Sequence, residues 1–445
     1  MSNTIAAIAT AHGLGGVAII RISGNNAYKI VQRVIVKGNS ASLQPRTMHS
    51  ATFRNISGEI IDYGLVCFFP NPNSFTGEDV VEIHCHGGIA APNSILSALI
   101  YNGARLAEPG EFTRRAFLNG KLDLTQAEAV GGIIDAKTEN SLKATAALLQ
   151  GALSKRILAI REVLLAVTAS LAAVIDFPEE DVEDLSRPDL ISALNCAKNL
   201  SDDLLSTASS GKVIRCGYNV PILGIPNVGK SSLLNALLGE DRAIVTPIAG
   251  TTRDVLRESA NIGGWQVNLS DTAGIRESED EVEKIGVERA LSSLDSADFV
   301  IVLLDASRKI SAEEQDLLEK TADFERIIVK NKSDLINVPN SSDECIYISA
   351  QTHENLQLLL EKITSLCSKY APRDDGIIAT ARQESALVQT IDALDAALST
   401  IEGGIPLDLA LDDLELALSC LGEIDGQTVR DEIINNIFSR FCVGK

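Results

Sequence analysis

The chain contains 445 residues, which is enough for about three domains, and 45% of them are hydrophobic while 4% are aromatic. This composition excludes a largely disordered chain, and the net charge of −21 argues against a protein that coats nucleic acid through Lys and Arg. The acidity is uneven, because residues 1–125 carry a net charge of +2 and the remainder carries −23, so an anionic ligand is better received by the first segment or by local patches.

The sequence shows no basic and apolar export signal at its start. Its longest apolar run, residues 163–175, lies between Glu162 and Asp176 and is shorter than the roughly 20 residues that a helix needs to cross a bilayer. The eight cysteines are scattered, which favours reduced, mostly buried thiols over a disulfide framework or a zinc site. We therefore expect a cytoplasmic protein with no membrane partner.

Residues 1–120 predict an α+β domain of short strands separated by glycine turns. The predicted strands cover residues 5–9, 16–22, 64–69 and 79–84, and a helix follows at 89–101. His84 and His86 would face the same side of the last strand. A strand end that packs one imidazole and exposes the other is a commoner arrangement than a metal-binding pair, so we expect no metal there.

Residues 121–213 predict helices, and the helical pattern returns at 372–445. Apolar side chains recur every three or four residues, as on one face of a helix. The predicted stripes are Leu153, Ile157, Ile160, Leu164, Val167, Leu171 and Val174; Leu387, Ile391, Leu394, Leu398 and Ile401; and Leu407, Leu411, Leu414, Leu418 and Leu421. Because the pattern stops and then resumes, we predict one discontinuous bundle that carries residues 214–371 as an insertion.

The insertion alternates strands and helices, which predicts a doubly wound parallel sheet with its site at the carboxyl ends of the strands. The predicted strands cover residues 220–223, 265–269, 299–304, 326–329 and 345–348. The fold class is therefore multidomain α+β and α/β, with an N-terminal α/β domain, an all-α helical bundle and an inserted, doubly wound domain.

The first strand of the insertion runs into Gly224-Ile-Pro-Asn-Val-Gly229-Lys230-Ser231 and then into an amphipathic helix. This order is typical of a phosphate-binding loop, in which glycines turn backbone N–H groups toward an anion at the positive end of a helix. Lys230 would reach the β- and γ-phosphates, and Ser231 would hold Mg²⁺. The motif alone also fits a glycine-rich turn, so the interpretation depends on the motifs that follow.

Three further motifs follow predicted strands in the order that a GTP-binding domain needs. Asp271-Thr-Ala-Gly274 can hold Mg²⁺ through water and sense the γ-phosphate. Asn331-Lys-Ser-Asp334 presents Asp334, which can accept two hydrogen bonds from guanine that adenine cannot donate. Ser349-Ala350 can support the base through a backbone N–H. Together these motifs predict GTP rather than ATP.

The loop of residues 246–254 is suited to ordering around the γ-phosphate and Mg²⁺, and one of its threonines should ligate the metal. Ile275 stands where Ras-type GTPases place a glutamine that orients the attacking water. Isoleucine cannot hydrogen-bond a water, so another group must do so, and the acidic segment 277–283 is close enough to supply it. No arginine finger is evident, so the additional positive charge must also come from elsewhere.

The chain resembles the MnmE (TrmE) family of bacterial tRNA-modification GTPases over essentially its whole length. The inserted G domain and eight short motifs carry the resemblance. The motifs are Arg21-Ile-Ser-Gly24, Ser74-Phe-Thr-Gly-Glu-Asp79, His86-Gly-Gly88, Glu108-Pro-Gly-Glu-Phe112, Arg115-Ala-Phe-Leu-Asn119, Lys121-Leu-Asp-Leu124, Gln126-Ala-Glu128 and Phe441-Cys-Val-Gly-Lys445. One turn departs from the family pattern: Thr10-Ala-His12-Gly-Leu14-Gly-Gly16 stands where the family usually has Pro-Pro-Gly-Arg-Gly-Gly.

The resemblance implies an N-terminal tetrahydrofolate-binding-like domain at 1–120 that forms a homodimer, a helical domain at 121–213 and 372–445, and a GTPase domain at 214–371. A derivative of tetrahydrofolate, either 5-formyl- or methylene-tetrahydrofolate, would bind beside Arg21, Glu78, Lys121 and Lys445. Cys442 could attack the uracil ring, but a buried thiol that locks the C-terminal tail is the favoured interpretation.

The resemblance also implies that two G domains pair during the cycle, with K⁺ supplying the missing charge. K⁺ would be held by Asn227, Thr246, Ile248 and Thr251, Mg²⁺ by Ser231 and Thr252, and the water by Glu283. The residues expected to bind GTP are Asn227, Val228, Gly229, Lys230, Ser231, Ser232, Thr246, Pro247, Ile248, Ala249, Gly250, Thr251, Thr252, Asp271, Thr272, Ala273, Gly274, Asn331, Lys332, Asp334, Ser349 and Ala350.

The implied function is the GTP-driven modification of tRNA. With a flavin-dependent partner, MnmG, in a heterotetramer, members of the family install an aminomethyl or carboxymethylaminomethyl group at C5 of the wobble uridine of certain tRNAs. A ribosome-assembly GTPase is one alternative, but it would need a basic RNA-binding module that the acidic bundle does not supply. A regulatory GTPase switch without chemistry of its own is another, and binding of a reduced folate would separate it from the first interpretation.

Overall fold

The structure is a computed structural model that describes residues 4–11, 13–36, 42–176, 187–242, 257–271, 294, 297–337, 345–369 and 377–445. The chain forms two compact units. The first comprises Met1–Ile134, Leu148–Ser201 and Ser385–Lys445, and the second comprises Asp135–Ala147 and Asp202–Glu384. The first unit holds the N-terminal segment together with most of the predicted bundle, so the domain boundary at residue 120 stays a prediction.

The N-terminal part of the first unit is a six-stranded sheet. Its strands are β1 (Ile5–Ile8), β2 (Val17–Ser23), β3 (His49–Arg54), β4 (Ile60–Phe69), β5 (Val80–His86) and β6 (Arg105–Leu106). The order is β3-β4-β5-β2-β1-β6, and neighbours are antiparallel except for β1 and β6, which are parallel. Residues along β2 alternate between buried and accessible, as expected of a sheet with one packed and one open face.

Two helices, α1 (Ala27–Val34) and α2 (Ala90–Tyr101), cover one face of this sheet. Their apolar side chains share a core with Ile20, Ile83 and Phe53 of the strands. The predicted strands and the helix at 89–101 are confirmed within a few residues. The sequence pattern does not reveal α1, because this helix has only about two turns and is rich in β-branched residues. It does not reveal β3, because that strand has no apolar run.

The remaining helices belong to the bundle and to the second unit. In chain order they are α3 (Glu111–Leu118), α4 (Leu124–Asp135), α5 (Glu139–Leu149), α6 (Ala152–Asp176), α7 (Arg187–Leu205), α8 (Ala208–Cys216), α9 (Lys230–Arg242), α10 (Ala312–Lys320), α11 (Leu356–Lys369), α12 (Ala381–Glu402), α13 (Leu407–Asp425) and α14 (Asp431–Ser439). The prediction of helices on both sides of the insertion is therefore confirmed.

The long helix α6 packs against α13, and Arg161 of α6 pairs with Asp425 at the end of α13 at 2.7 Å. The predicted stripe of α6 is buried from Leu153 to Leu171, whereas Val174 near its end is partly exposed. By length and composition alone Ala152–Ile175 could cross a membrane, because the helix extends beyond the uncharged run of residues 163–175. The buried stripe and the ion pair place α6 in the core of the first unit.

The stripe predicted for α12 is confirmed, since all five of its residues are buried. The stripe predicted for α13 is wrong at Leu407, Leu411 and Leu418, which are partly exposed. The buried face of α13 instead runs through Ala410, Leu414, Ala417, Leu421 and Ile424. Small side chains on this face allow α13 to lie close to α6. A prediction based on large apolar residues does not detect such a face.

The second unit contains a six-stranded sheet built from β7 (Tyr218–Leu223), β8 (Arg257–Ile262), β9 (Trp265–Asp271), β10 (Val300–Asp305), β11 (Arg326–Asn331) and β12 (Ile346–Tyr347). The order is β12-β11-β10-β7-β9-β8, and all neighbours are parallel except β8 and β9. The predicted α/β sheet is confirmed, with the addition of β8, an antiparallel edge strand whose polar sequence hides it. The strand β10 is fully buried and lies beside β7 at the centre.

Candidate functional site

The phosphate-loop motif lies between the end of β7 and the start of α9, at the carboxyl edge of the sheet. Gly229 has φ of 97°, and a Cβ there would lie 2.3 Å from Nδ2 of Asn331, so only glycine fits. Asn227 also adopts a left-handed backbone, with φ of 62° and an exposed side chain. The ammonium of the buried Lys230 donates to the carbonyl oxygens of Gly224 (2.8 Å) and Ile225 (3.1 Å), which holds it against the loop.

Asn331 joins the phosphate loop to the two motifs predicted to bind the base. Its Nδ2 donates to the carbonyl oxygen of Val228 at 2.8 Å, and its Oδ1 accepts from the N–H of Ala350 at 2.9 Å. Both bonds are buried, so they are protected from competition with water. The exposed Asp334 follows three residues later, and the buried Ser349 lies beside Ala350. The structure therefore brings the phosphate loop, residues 331–334 and residues 349–350 together.

Lys332 has a partner that the sequence analysis does not identify. Its backbone is left-handed, with φ of 67°, and its Nζ lies 2.6 Å from Oδ2 of Asp305 at the end of β10. Ser307 donates to Oδ1 of Asp305 from both its backbone N–H (2.9 Å) and its hydroxyl (2.6 Å). Burial opposes ionisation of Asp305, but the bonds from Lys332 and Ser307 hold its pKa below the ordinary value. A fixed, charged Asp305 thus orients Lys332.

The other predicted nucleotide residues divide into two groups. Ser231 and Ser232 lie in the first turn of α9 with exposed side chains, where a hydroxyl can reach a metal ion bound to phosphate. Asp271 is the last residue of β9, and only its backbone is described. The other residues predicted to act on the nucleotide lie outside the described residues. The ones outside are Thr246, Pro247, Ile248, Ala249, Gly250, Thr251, Thr252, Thr272, Ala273, Gly274 and Glu283.

The four residues predicted to bind folate are arranged around α3. The guanidinium of Arg21 on β2 bonds Glu82 at 2.9 Å and lies over the rings of Phe75 and Phe112, 5.3 and 5.7 Å from their centroids. Glu78 accepts from Arg115 of α3 at 2.8 Å. These contacts place a cation, an anion and a half-exposed aromatic ring at one end of the N-terminal sheet.

Lys121, which follows α3, and the C-terminal Lys445 lie near the same helix. Lys121 follows α3, and its Nζ donates to the carbonyl oxygen of Pro72 at 3.2 Å. The carbonyl oxygen of Lys445 accepts from the N–H of Phe112 at 3.2 Å, so the C-terminus docks on α3. Cys442 is exposed, which shows that the interpretation of a buried thiol is wrong. The tail is held instead by backbone bonds such as that from the N–H of Gly110 to the Cys442 carbonyl at 3.5 Å.

Two histidines on β5 differ in exposure, as expected for a strand end. The His84 side chain is 23% exposed and the His86 side chain is 73% exposed. Nδ1 of His86 lies 2.7 Å from Oδ1 of Asp62, whose other oxygen accepts from the His86 backbone N–H at 2.8 Å. Burial opposes ionisation of Asp62, but these bonds and one from the backbone of Tyr63 lower its pKa. The carboxylate therefore fixes the orientation of the exposed imidazole.

The turn that departs from the family pattern borders a cavity of about 340 Å³. Leu14 of the turn is 96% exposed, and Gly87, Gly88 and Ile89 line the other side. None of the four residues predicted to bind folate lines this cavity.

The structure also identifies residues that the motifs did not single out. The sequence gives no sign of the contact between Asp305 and Lys332, because the two residues are 27 positions apart and lie at the ends of different strands. Glu111 and Arg115 lie four residues apart with opposite charges, a spacing typical of a pair on one helix face, so their pairing was detectable. The contact of Arg115 with Glu78 spans 37 residues and leaves no pattern in the sequence.

Comparisons with known proteins identify the family of the chain. Residues 4–121 match the family described as GTP-binding protein TrmE N-terminus, and residues 124–442 match the MnmE helical domain. The chain is 42% identical to "tRNA modification GTPase MnmE" of Clostridioides difficile, with 100% of each chain covered. It is 45% identical to the protein of the same name from Lactococcus lactis, with 100% of this chain and 98% of the relative covered.

Among solved structures, the chain is similar to Aquifex aeolicus Era with the substitution Y63A, bound to GDP and AlF4⁻. The two are 30% identical, and the match covers 40% of this chain and 66% of the Era chain. Its TM-score of 0.28 is too low to support a conclusion.

Proposed function

This chain belongs to the MnmE family of tRNA modification GTPases, and on that premise we propose that it works with a flavin-dependent partner, MnmG, to modify the wobble uridine of certain tRNAs. The product would carry an aminomethyl or carboxymethylaminomethyl group at C5, with the carbon supplied by a tetrahydrofolate derivative. The observation that carries the proposal is that one chain, similar to these relatives along its full length, holds both the nucleotide residues joined by Asn331 and the charged residues around α3.

Hydrolysis of GTP needs a water aligned with the γ-phosphate and positive charge where negative charge develops. Lys230 and the backbone N–H groups of the phosphate loop supply part of this charge. Glu283 would orient the water, because Ile275 cannot. Bound K⁺ and Mg²⁺ would neutralise the phosphate oxygens. The exposed Asn227 and Ser231 suit these two ions, and Thr246, Ile248, Thr251 and Thr252 would complete the two ligand sets.

The charges around α3 suit a reduced folate, which carries N–H donors on its pterin ring and carboxylates on its glutamate tail. Arg21, Lys121 and Lys445 would bind carboxylates, and Glu78 would accept from the pterin N–H groups. Arg21 already shares its charge with Glu82, so a bound carboxylate would compete with that pair. The aromatic rings of Phe75 and Phe112 beside Arg21 would limit access of water.

We expect the protein to act in the cytoplasm as a homodimer formed by the N-terminal domains. The face of the sheet opposite α1 and α2 supports this proposal. Val17, Tyr63 and Leu65 on this face are 62%, 64% and 42% exposed, which leaves an open apolar surface next to Arg21 and His84. A second copy would cover such a surface and remove it from water.

A comparison of tRNA nucleosides from cells with and without the gene tests the proposed function. We expect the C5-substituted wobble uridine to disappear in the deletion strain and to return with the wild-type gene, but not with a Lys230→Ala variant. An unchanged nucleoside profile would favour a regulatory GTPase switch without chemistry of its own.

A further inference from the structure

We propose that Arg115 of α3 is a positioning residue for the N-terminal ligand site: it fixes Glu78 so that one carboxylate oxygen is presented to the ligand. This inference deepens the proposed function and rests on the folate site assigned there. It depends on the contacts of three side chains, Glu78, Arg115 and Glu111, and on the place of α3 in the first unit.

Glu78 has one occupied oxygen and one open oxygen. Its Oε2 accepts from Arg115 at 2.8 Å and from the hydroxyl of Ser23 at 2.8 Å. The Ser23 hydroxyl is itself 2.7 Å from that of Thr76, so the side of Glu78 that carries Oε2 is fixed against the end of β2. In the described part of the chain Oε1 has no hydrogen-bond partner, and the side chain is 21% exposed. Oε1 is therefore the atom available to accept from an N–H of a bound pterin ring.

Arg115 is itself held by a buried carboxylate. Its second amino group bonds Oε1 of Glu111 at 2.9 Å, and both residues are 7% exposed. Glu111 also accepts from both amino groups of Arg105 and from the N–H of Glu108. Burial opposes its charge, but these bonds lower the pKa of Glu111 to about 2. Glu111 is thus ionised throughout the physiological range and gives Arg115 a charged partner in addition to its contact with Glu78.

The same helix fixes the other ligand-binding groups. Phe112, one turn before Arg115, lies under the guanidinium of Arg21 and donates its N–H to the carbonyl of Lys445. Gly110, just before α3, has φ of 66°, and a Cβ there would lie 2.5 Å from the carbonyl oxygen of Phe438 in α14. The helix is therefore packed against the C-terminal bundle, and its position cannot shift without moving the site.

A double-mutant cycle with 5-formyl-tetrahydrofolate as the probe tests this role in the full-length protein. We expect Glu78→Gln and Arg115→Gln each to raise the Kd at least tenfold, and the double variant to bind within twofold of Glu78→Gln alone. Arg115→Lys, which disturbs the fold less, should weaken binding by a smaller factor, and this loss should also vanish in the Glu78→Gln background. The affinity for GTP should stay within twofold of wild type in every variant, and Arg54→Gln serves as the control on the same domain.

The possible results distinguish a failure of the positioning role of Arg115 from a failure of the folate site itself. If wild type binds the folate and the losses of Glu78→Gln and Arg115→Lys multiply, Arg115 acts independently of Glu78 and the positioning role is overturned. If wild type itself does not bind the folate, the assignment of the site fails and this inference fails with it. If the double variant binds the folate about as weakly as Glu78→Gln alone, the result supports both the folate site and the positioning role of Arg115.

Discussion

Asp305 illustrates how a residue outside the nucleotide motifs can control one within them. Lys332 belongs to the motif predicted to recognise guanine, and its long side chain has many rotamers that a bound nucleotide would have to restrict. The ion pair with Asp305 selects one of them before the nucleotide arrives, and Ser307 holds the carboxylate in place. Pre-organisation of this kind improves affinity by lowering the entropy lost on binding.

We therefore expect Asp305→Asn to weaken GTP binding about five- to tenfold, because the freed Lys332 side chain must then be immobilised on binding at a cost of about 1 kcal/mol. A titration with a fluorescent GTP analogue measures this change. Asp316→Asn, which removes the partner of Lys320 on an exposed helix face, is the matched control and should leave the Kd unchanged. Equal affinities of Asp305→Asn and wild type would contradict the role given to Asp305.

Glu283 is expected to act on the water and not on the nucleotide. Glu283→Ala should lower the kcat for GTP hydrolysis about a hundredfold or more, the size expected for the loss of a group that assists the attacking water, while the Kd for GTP stays within twofold. Single-turnover hydrolysis and equilibrium binding measure the two quantities. Glu281→Ala is the nearby control, and parallel losses of binding and turnover in Glu283→Ala would show a structural role instead.

Among the elements, those with long apolar patterns were predictable and those defined by their partners were not. The stripe of α6 and the strand β10 are apolar enough to identify themselves. The buried face of α13 was misassigned because Ala410 and Ala417, and not Leu411 and Leu418, face the core. The strand β8 was not predicted because it lies at the edge of the sheet, pairs only with β9 among the described strands and therefore does not need an apolar run. The helix α3 was not predicted because its buried residues include Glu111 and Arg115, which are charged and are buried as a pair.

The contact of α6 with α13 makes a prediction about stability. Arg161 and Asp425 have side chains only 8% and 12% exposed, so removal of one leaves an uncompensated charge in the core. We expect Arg161→Ala to lower the free energy of unfolding of the helical bundle by about 3–5 kcal/mol. The double variant Arg161→Met with Asp425→Leu should recover most of the loss, because it removes both charges and fills the space.

Urea unfolding followed by the helical circular dichroism signal measures these changes. Lys320→Ala, which breaks an exposed pair in the second unit, should leave the free energy of unfolding unchanged within about 0.5 kcal/mol. If Arg161→Ala unfolds at the wild-type midpoint, the pair contributes nothing to the packing of α6 on α13.

The nucleotide site needs charge that its described residues do not provide. Lys230 is the only cation of the phosphate loop, and Ile275 replaces the residue that orients water in Ras-type GTPases. A monovalent cation bound beside the β- and γ-phosphates would supply a fixed positive charge, and a second G domain would shield it from water. Asn227 is placed for this role, since its left-handed backbone sets the side chain at the exposed rim of the loop.

Hydrolysis should therefore be much faster in K⁺ than in Na⁺ at equal ionic strength, because the larger ion fits a site of amide, hydroxyl and carbonyl oxygens that does not close around the smaller one. Asn227→Gly removes the side-chain oxygen while keeping a residue that accepts the left-handed backbone, so the loop should retain its shape. We expect this variant to lose the advantage of K⁺ over Na⁺ in steady-state phosphate release. Equal wild-type rates in the two salts would show that the missing charge comes from the protein itself, and the pairing of G domains would then have to be explained without an ion.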